Sequence, residues 1–350
     1  MVINRYLPLF TTIIVGASGA ILATLLQAPI PWLLGSLLFT ALATGSGISL
    51  KKIPVRIEKW MRVLIGVALG PSVADSLGGI GASTIVAASG SLGSVVLFVG
   101  TGYLFFQQWL KMSRGEAFLS ALPGGLSFMM ALADKLKLAD KSSRPRIALI
   151  HTVRVVSLVL FVSFVAILLG TDLEKGSFIE WFHFKVSIQW ITLLLVITLS
   201  FWLAEKLSIA GSHVTLPLVL SSAAYASGLI SVPMPQLIIT VAMLVFGCIL
   251  GCELGNGPRK EYPKLAAASL AMTASAFVFS ALIALIFGKT TGFGFLTLFL
   301  ALAPGGIAEV SLIALALGLD VGAIAMIHLF RFLFIMAIGP TGLYLIDKKA

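Results

Sequence analysis

Ala121-Leu122-Pro123-Gly124-Gly125-Leu126-Ser127 and Leu302-Ala303-Pro304-Gly305-Gly306-Ile307-Ala308 are two versions of one string. Each is followed by an apolar stretch and then by a second shared string. That string reads Ile147-Ala148-Leu149-Ile150-His151-Thr152-Val153-Arg154 in one copy and Ile324-Ala325-Met326-Ile327-His328-Leu329-Phe330-Arg331 in the other, identical at five of eight positions. Upstream, Ser46-Gly47, Pro54, Gly66 and Gly70 answer at one constant offset to Ser227-Gly228, Pro235, Gly247 and Gly251. Self-similarity at a fixed offset is the mark of a duplicated architecture. We read residues 1–170 as one repeat, 171–185 as a polar linker and 186–350 as the second repeat.

The solvent for this chain is lipid. Of its 350 residues, 59% are hydrophobic and 11% charged, whereas soluble domains carry roughly 25% charged residues. Apolar runs near twenty residues recur along the chain, the length that matches a hydrocarbon core about 30 Å thick. In the first half they fall at about Leu7 to Leu26, Pro31 to Ser49, Trp60 to Leu77, Ala82 to Leu110, Ala117 to Ala133 and Ile147 to Gly170. The expected fold is an all-α polytopic membrane protein. Arg5 followed by an apolar run resembles a signal peptide, but the run is long and more spans follow, so it reads as the first membrane helix.

The net charge of +10 sits in short clusters between apolar runs, which are topology signals and not the footprint of a nucleic-acid module. The fifth apolar segment is short, and Pro123-Gly124-Gly125 interrupts it, proline lacking a donor and glycine weakening a helix. If all six segments crossed, Lys135, Lys137, Lys141, Arg144 and Arg146 would lie outside, against the positive-inside bias. A re-entrant fifth segment leaves five crossings per half. The basic loops at Lys51 to Arg62, Lys111 to Arg114, Lys135 to Arg146 and Arg259 to Lys264, and the Lys348-Lys349 tail, then all fall inside. The linker acids Asp172, Glu174 and Glu180 fall outside. An odd number of crossings inverts the second half, the 5+5 inverted-repeat plan of many secondary transporters, with both Pro-Gly-Gly segments entering towards the midplane. The alternative is twelve spans with those segments crossing as broken helices. The expected location is a bacterial inner membrane, multi-pass, with both termini cytoplasmic.

His151 and Arg154 are three apart on one helical face, as are His328 and Arg331. Arg331 lies deep in an apolar segment, where an arginine costs roughly 2.5–3.5 kcal/mol on insertion scales and must face a partner or a wet cavity. Glu309 follows Pro304-Gly305-Gly306 closely, whereas the matching position in the first half is Phe128. The expected substrate site is Pro123, Gly124, Gly125, Arg154, Pro304, Gly305, Gly306, Glu309 and Arg331. The arginines and half-helix N-termini would meet an anionic group. Glu309, His151 and His328 are candidate proton or ion coupling residues. The structural alternative pairs Glu309 with Arg331 and has each histidine satisfy a backbone carbonyl. Gly66 and Gly70, like Gly247 and Gly251, read as close-packing pairs. Cys248 and Cys252 share a face and read as small core residues in preference to a metal pair. Trp32, Trp60, Trp109, Trp181, Trp190 and Trp202 read as interfacial anchors.

Pro31-Trp32-Leu33-Leu34-Gly35-Ser36, the duplicated Pro-Gly-Gly segments, Gly318-Leu319-Asp320 and the closing Ile-His-x-x-Arg helix resemble the AbrB-type duplicated integral membrane protein family. The resemblance covers nearly the whole chain and is most specific from Ala303 to Arg331. Members of that family carry the labels ammonia monooxygenase, AbrB-family transcriptional regulator and regulator of aidB expression. The soluble DNA-binding AbrB is a different type of protein that shares the name.

The residues favour a carrier of a small anionic or polar metabolite working by alternating access in the lipid bilayer, with a proton or sodium ion as coupling partner, no cofactor and no nucleic-acid partner. An oxygenase needs a metal site. With four histidines in the chain, His183 and His213 lie far in sequence from the other two, and no compact ligand cluster is spelled out. A membrane-associated regulator would act indirectly, since no loop is long enough to form an effector domain.

Overall fold

The computed structural model describes residues 3–78, 81–125, 129–130, 132–133, 143–168, 187–207, 209, 211–255 and 260–347. The linker at 171–185, Phe128, Trp181, His183 and the 134–142 part of the basic loop lie outside the described residues. The described chain is helical, without a strand, in the order α1 (Ile3–Leu25), α2 (Pro31–Gly45), α3 (Val55–Ala68), α4 (Gly70–Leu77), α5 (Ala82–Trp109), α6 (Arg114–Ala121), α7 (Ser143–Leu168), α8 (Gln189–Leu207), α9 (Ser212–Ala226), α10 (Gln236–Gly255), α11 (Tyr262–Thr291), α12 (Phe295–Leu302), α13 (Ile307–Ala316) and α14 (Val321–Asp347). Among the described residues, six helices are long and apolar enough to cross a membrane: α5, α7, α8, α10, α11 and α14. The protein is therefore of the all-helical, multi-pass membrane type.

Two expected segments are divided. Trp60 to Leu77 becomes α3 and α4, meeting at Leu69. The cause is Pro71, which cannot donate back to the Val67 carbonyl and crowds it. The fifth segment of the second half becomes α12 and α13, separated by Pro304-Gly305-Gly306. In the first half α6 starts at Arg114, earlier than Ala117, because the Ser113 hydroxyl accepts from the Glu116 N–H at 3.4 Å and caps the helix. Both breaks have the same backbone. The residue before each proline leaves the helical region, Leu122 at φ −59, ψ 125 and Ala303 at φ −61, ψ 144, as pre-proline sterics require. Each proline is then spanned by one short bond, from Gly124 N–H to Leu122 O at 3.1 Å and from Gly305 N–H to Ala303 O at 2.9 Å.

The chain forms two compact units, and each draws on both halves of the sequence. The first comprises Met1–Asp75, Val159–Asn256 and Leu315–Gly318. Its framework is close helix packing. A Cβ on Gly247 would come within 1.8 Å of Ser36 Oγ, one on Gly251 within 2.0 Å of Thr40 Oγ1, and one on Gly255 within 2.5 Å of Thr44 Cβ. Glycines every fourth residue on α10 thus take in a Ser-Thr-Thr stripe of the same spacing on α2. The stripe stays inside because each hydroxyl bonds back within its own helix, to Trp32 O, Ser36 O and Thr40 O, all at 2.6 Å. Gly66 and Gly70 of α3 and α4 meet Val214, Pro217 and Ser221 of α9 in the same manner. The glycine pairs read from the sequence as packing devices serve as such.

The second unit comprises Ser76–Leu158, Gly257–Ala314 and Leu319–Ala350. In it α5 packs against α6, α11 and α14, and α12 against α11 and α14. Ser269 of α11 donates to the Ile150 carbonyl of α7 at 2.7 Å, so a polar bond holds two apolar helices together. Both Pro-Gly-Gly breaks and both His-x-x-Arg strings belong to this unit.

Candidate functional site

A helix that stops inside a membrane leaves its last carbonyls without N–H partners and without water. The His-x-x-Arg strings supply the missing donors. From α7, His151 Nε2 donates to Leu119 O at 3.0 Å, while Arg154 donates to Ser120 O at 2.5 Å and to Leu122 O at 2.9 Å. These carbonyls close α6. From α14, His328 Nε2 donates to Leu300 O at 2.9 Å, and Arg331 donates to Leu302 O at 3.4 Å, Ala303 O at 2.7 Å and Gly305 O at 2.7 Å. These close α12 and reach into its break. A cation at a helix C-terminus also meets the negative end of the helix dipole. The spacing of three places both side chains of each string on the face turned to the interrupted segment, and all four are buried.

Arg331 also donates to His328 Nδ1 at 2.6 Å. Since a carbonyl can only accept, the proton of His328 is on Nε2 and Nδ1 is the acceptor; the ring is the neutral Nε2–H tautomer. All four terminal N–H groups of Arg331 are thereby engaged by the protein. Arg154 makes one such bond from each terminal nitrogen and lies over the Phe98 ring, 5.1 Å from its centroid.

Glu309 is buried at the third position of α13, the capping-box position counted from Gly306. Its carboxylate folds back over that glycine so closely that a Cβ there would lie 2.1 Å from Oε2. A negative charge in the first turn of α13 is favoured by the helix dipole. At Gly125, the matching position, a Cβ would meet nothing within 4 Å among the described residues. Among the described residues neither Arg154 nor Arg331 forms an ion pair with a carboxylate.

Pro123 and Pro304, one from each break, line a single narrow cleft together with Arg331, Phe98 and Ser94 of α5 and Ser280 of α11. Its interior has room for about one water. Of the residues expected from the sequence, Pro123, Pro304 and Arg331 therefore meet at the cleft. Arg154 stands behind Phe98. His151 and His328 brace the half-helix ends, Glu309 sits at the start of α13, and Gly124, Gly125, Gly305 and Gly306 form the breaks.

Sequence reasoning did not pick out Phe98, Ser94 or Ser280, which carry no motif. It also passed over Glu116, a buried acid that pairs at 3.1 Å with Arg146, whose Nε in turn lies 2.9 Å from Glu261. The Ser113-x-x-Glu116 capping box was the available signal. Arg146 had been read only as part of a basic loop. Elsewhere, Cys248 packs in the first unit, its thiol 3.8 Å from Thr12 O and its Sγ where a Cβ on Gly16 would fall.

Broken apolar segments closed by buried arginines, inside an all-helical chain of the multi-pass membrane type, are what the fold and the site have in common. The family model described as transition state regulatory protein AbrB matches residues 32–347, which include both breaks and both His-x-x-Arg strings, and the chain belongs to that family. Along nearly its whole length it is also similar to the uncharacterized protein YhjN of Bacillus subtilis (strain 168). The two are 24% identical, over 94% of this chain and 90% of that protein.

Proposed function

We propose that this protein is a secondary-transporter-like carrier that moves a small anionic or polar metabolite across a bacterial inner membrane by alternating access. The observation that carries this reading is the meeting of Pro123, Pro304 and Arg331 at one cleft within one compact unit. Non-helical backbone at membrane depth is tolerated where it is buried in protein or lines a cavity, and carriers place their substrates at such breaks. The finer architecture we infer is a pair of inverted repeats, 1–170 and 186–350, with five crossings each, cytoplasmic termini and re-entrant Pro-Gly-Gly segments. The matching pre-proline geometry, short bond and arginine closure at the two breaks support it. Glu309, the acid of the second break, is the residue we assign to proton or sodium coupling.

The family description favours a second reading, a membrane-associated regulator of gene expression that acts indirectly. A carrier that moves a signalling metabolite would satisfy both.

The test is a thermal-shift screen of the detergent-purified protein against metabolites, followed by counterflow in vesicles for each hit. Exchange that depends on Arg331 and Glu309 is the expected result. A ligand bound equally by the wild type, Arg331→Ala and Glu309→Ala would place the site elsewhere. For the topology, single cysteines near Lys137 and Glu174 should label from opposite faces, and labelling from the same face would overturn the inverted arrangement.

A further inference from the structure

At the two breaks the buried guanidiniums of Arg154 and Arg331 stand against one buried carboxylate, that of Glu309. Phe128 occupies the position where the first half would carry a second acid. The surplus is one positive charge, and neither arginine has an ion pair among the described residues. A buried charge without a counter-charge is costly. Arg331 lines the cleft. Its four terminal N–H groups are taken by the protein, whereas the fifth, Nε–H, has no acceptor among the described residues. Ser280 lines the same cleft, is 2% exposed, and has no hydrogen-bond partner for its hydroxyl among the described residues. The other hydroxyl on the wall is committed, Ser94 donating to Ser91 O at 2.7 Å. The rest of the lining is apolar, and among the described residues no acid contributes to it.

We propose that the cleft binds one monatomic halide, chloride being the common one, on the Ser280 O–H and the Arg331 Nε–H; this rests on the reading of the cleft as the carrier's ligand site. Both groups donate, and hydrogen bonds to an ionised acceptor are the strong ones. A water molecule in the same place would meet both donors but leave the surplus charge standing, whereas a monovalent anion answers both. The interior has room for about one water. Chloride is a single sphere little larger than that, while a carboxylate or phosphate brings several heavy atoms that the space does not hold. A sodium ion there would face the like charge of Arg331 across an apolar wall, where such repulsion is strong.

The experiment follows the unfolding midpoint of the full-length protein in detergent as sodium gluconate is replaced by sodium chloride at constant ionic strength. Chloride should raise the midpoint along a saturating curve, as binding to the folded state alone requires. Acetate in place of chloride should behave as gluconate does. Ser280→Ala should need about tenfold more chloride for the same shift, the loss expected of one hydrogen bond to a charged group. A midpoint indifferent to chloride, or raised as much by acetate, overturns the proposal on the wild type alone and leaves the cleft a water site. An unchanged chloride titration in Ser280→Ala overturns the assignment to this cleft. Counterflow of radiolabelled chloride in vesicles separates the proposal from the carrier reading. Saturable, Ser280-dependent chloride binding without exchange keeps the halide and removes the carrier. Exchange of some other metabolite by a protein indifferent to chloride keeps the carrier and removes the halide.

Discussion

Replacing Arg331 with methionine keeps the bulk of the side chain and removes its charge and donors. The Leu302, Ala303 and Gly305 carbonyls lose the partner that now lies 3.4, 2.7 and 2.7 Å away. A hydrogen bond inside a membrane protein contributes about 0.6 kcal/mol on average and up to about 1.7. Three such bonds therefore amount to roughly 2–5 kcal/mol, with the upper part of the range favoured because the abandoned carbonyls are buried and water cannot replace the arginine. Arg331→Lys keeps the charge but not the fork, and should lose roughly half as much. Equilibrium unfolding in mixed detergent micelles measures both variants against the wild type. A loss within about 0.5 kcal/mol for Arg331→Met, the size of an ordinary surface change, would refute the idea that arginine closes the broken helix.

Gly251→Leu would drive a side chain into Thr40 Oγ1 and Leu37 O, at 2.0 and 2.4 Å from the Cβ. It should cost about 3 kcal/mol or abolish folding, whereas Gly45→Leu, which meets nothing within 4 Å, should leave the unfolding midpoint unchanged. Gly306→Ala displaces the Glu309 carboxylate and should lower stability, while Gly125→Ala should be tolerated. In the double variant Gly306→Ala with Glu309→Ala most of the loss should return, and strict additivity in that cycle would count against the contact. Arg146→Ala removes one charged partner of the buried Glu116 and should destabilise by about 1–3 kcal/mol. Glu261→Gln acts on a carboxylate that is 52% exposed and should cost about 0–1 kcal/mol in the same unfolding assay.

What the sequence made legible follows from which groups sequence can name. Lipid solvation requires long apolar runs, so α1, α2, α5 and α7 stand close to their expected places. Proline fixes its predecessor outside the helix, so both breaks fall where Pro123 and Pro304 predict. The spacing of His-x-x-Arg gave the shared face. The structural alternative gave each histidine a backbone carbonyl, as found at Leu119 O and Leu300 O, but no side chain announces which carbonyls, nor that the arginines take the neighbouring ones. Pro71, whose missing donor separates α3 from α4, is legible by a different property of the same residue type. The compact units, each assembled from both halves, rest on contacts between distant segments. A hint existed in Ser36, Thr40 and Thr44, whose spacing repeats that of Gly247, Gly251 and Gly255. Phe98 had none, since a single aromatic in a membrane helix looks the same in lipid as over a guanidinium.

The central claim is that the cleft at the two breaks opens in turn to each side of the membrane. It is tested most directly with one cysteine at Ser280, which lines the cleft, in a background with Cys248→Ala and Cys252→Ala, the two native cysteines. In sealed, oriented vesicles a membrane-impermeant thiol reagent should modify this cysteine when supplied on either face, and the bound ligand should slow both reactions. Modification from one face only, or from neither, would contradict the account.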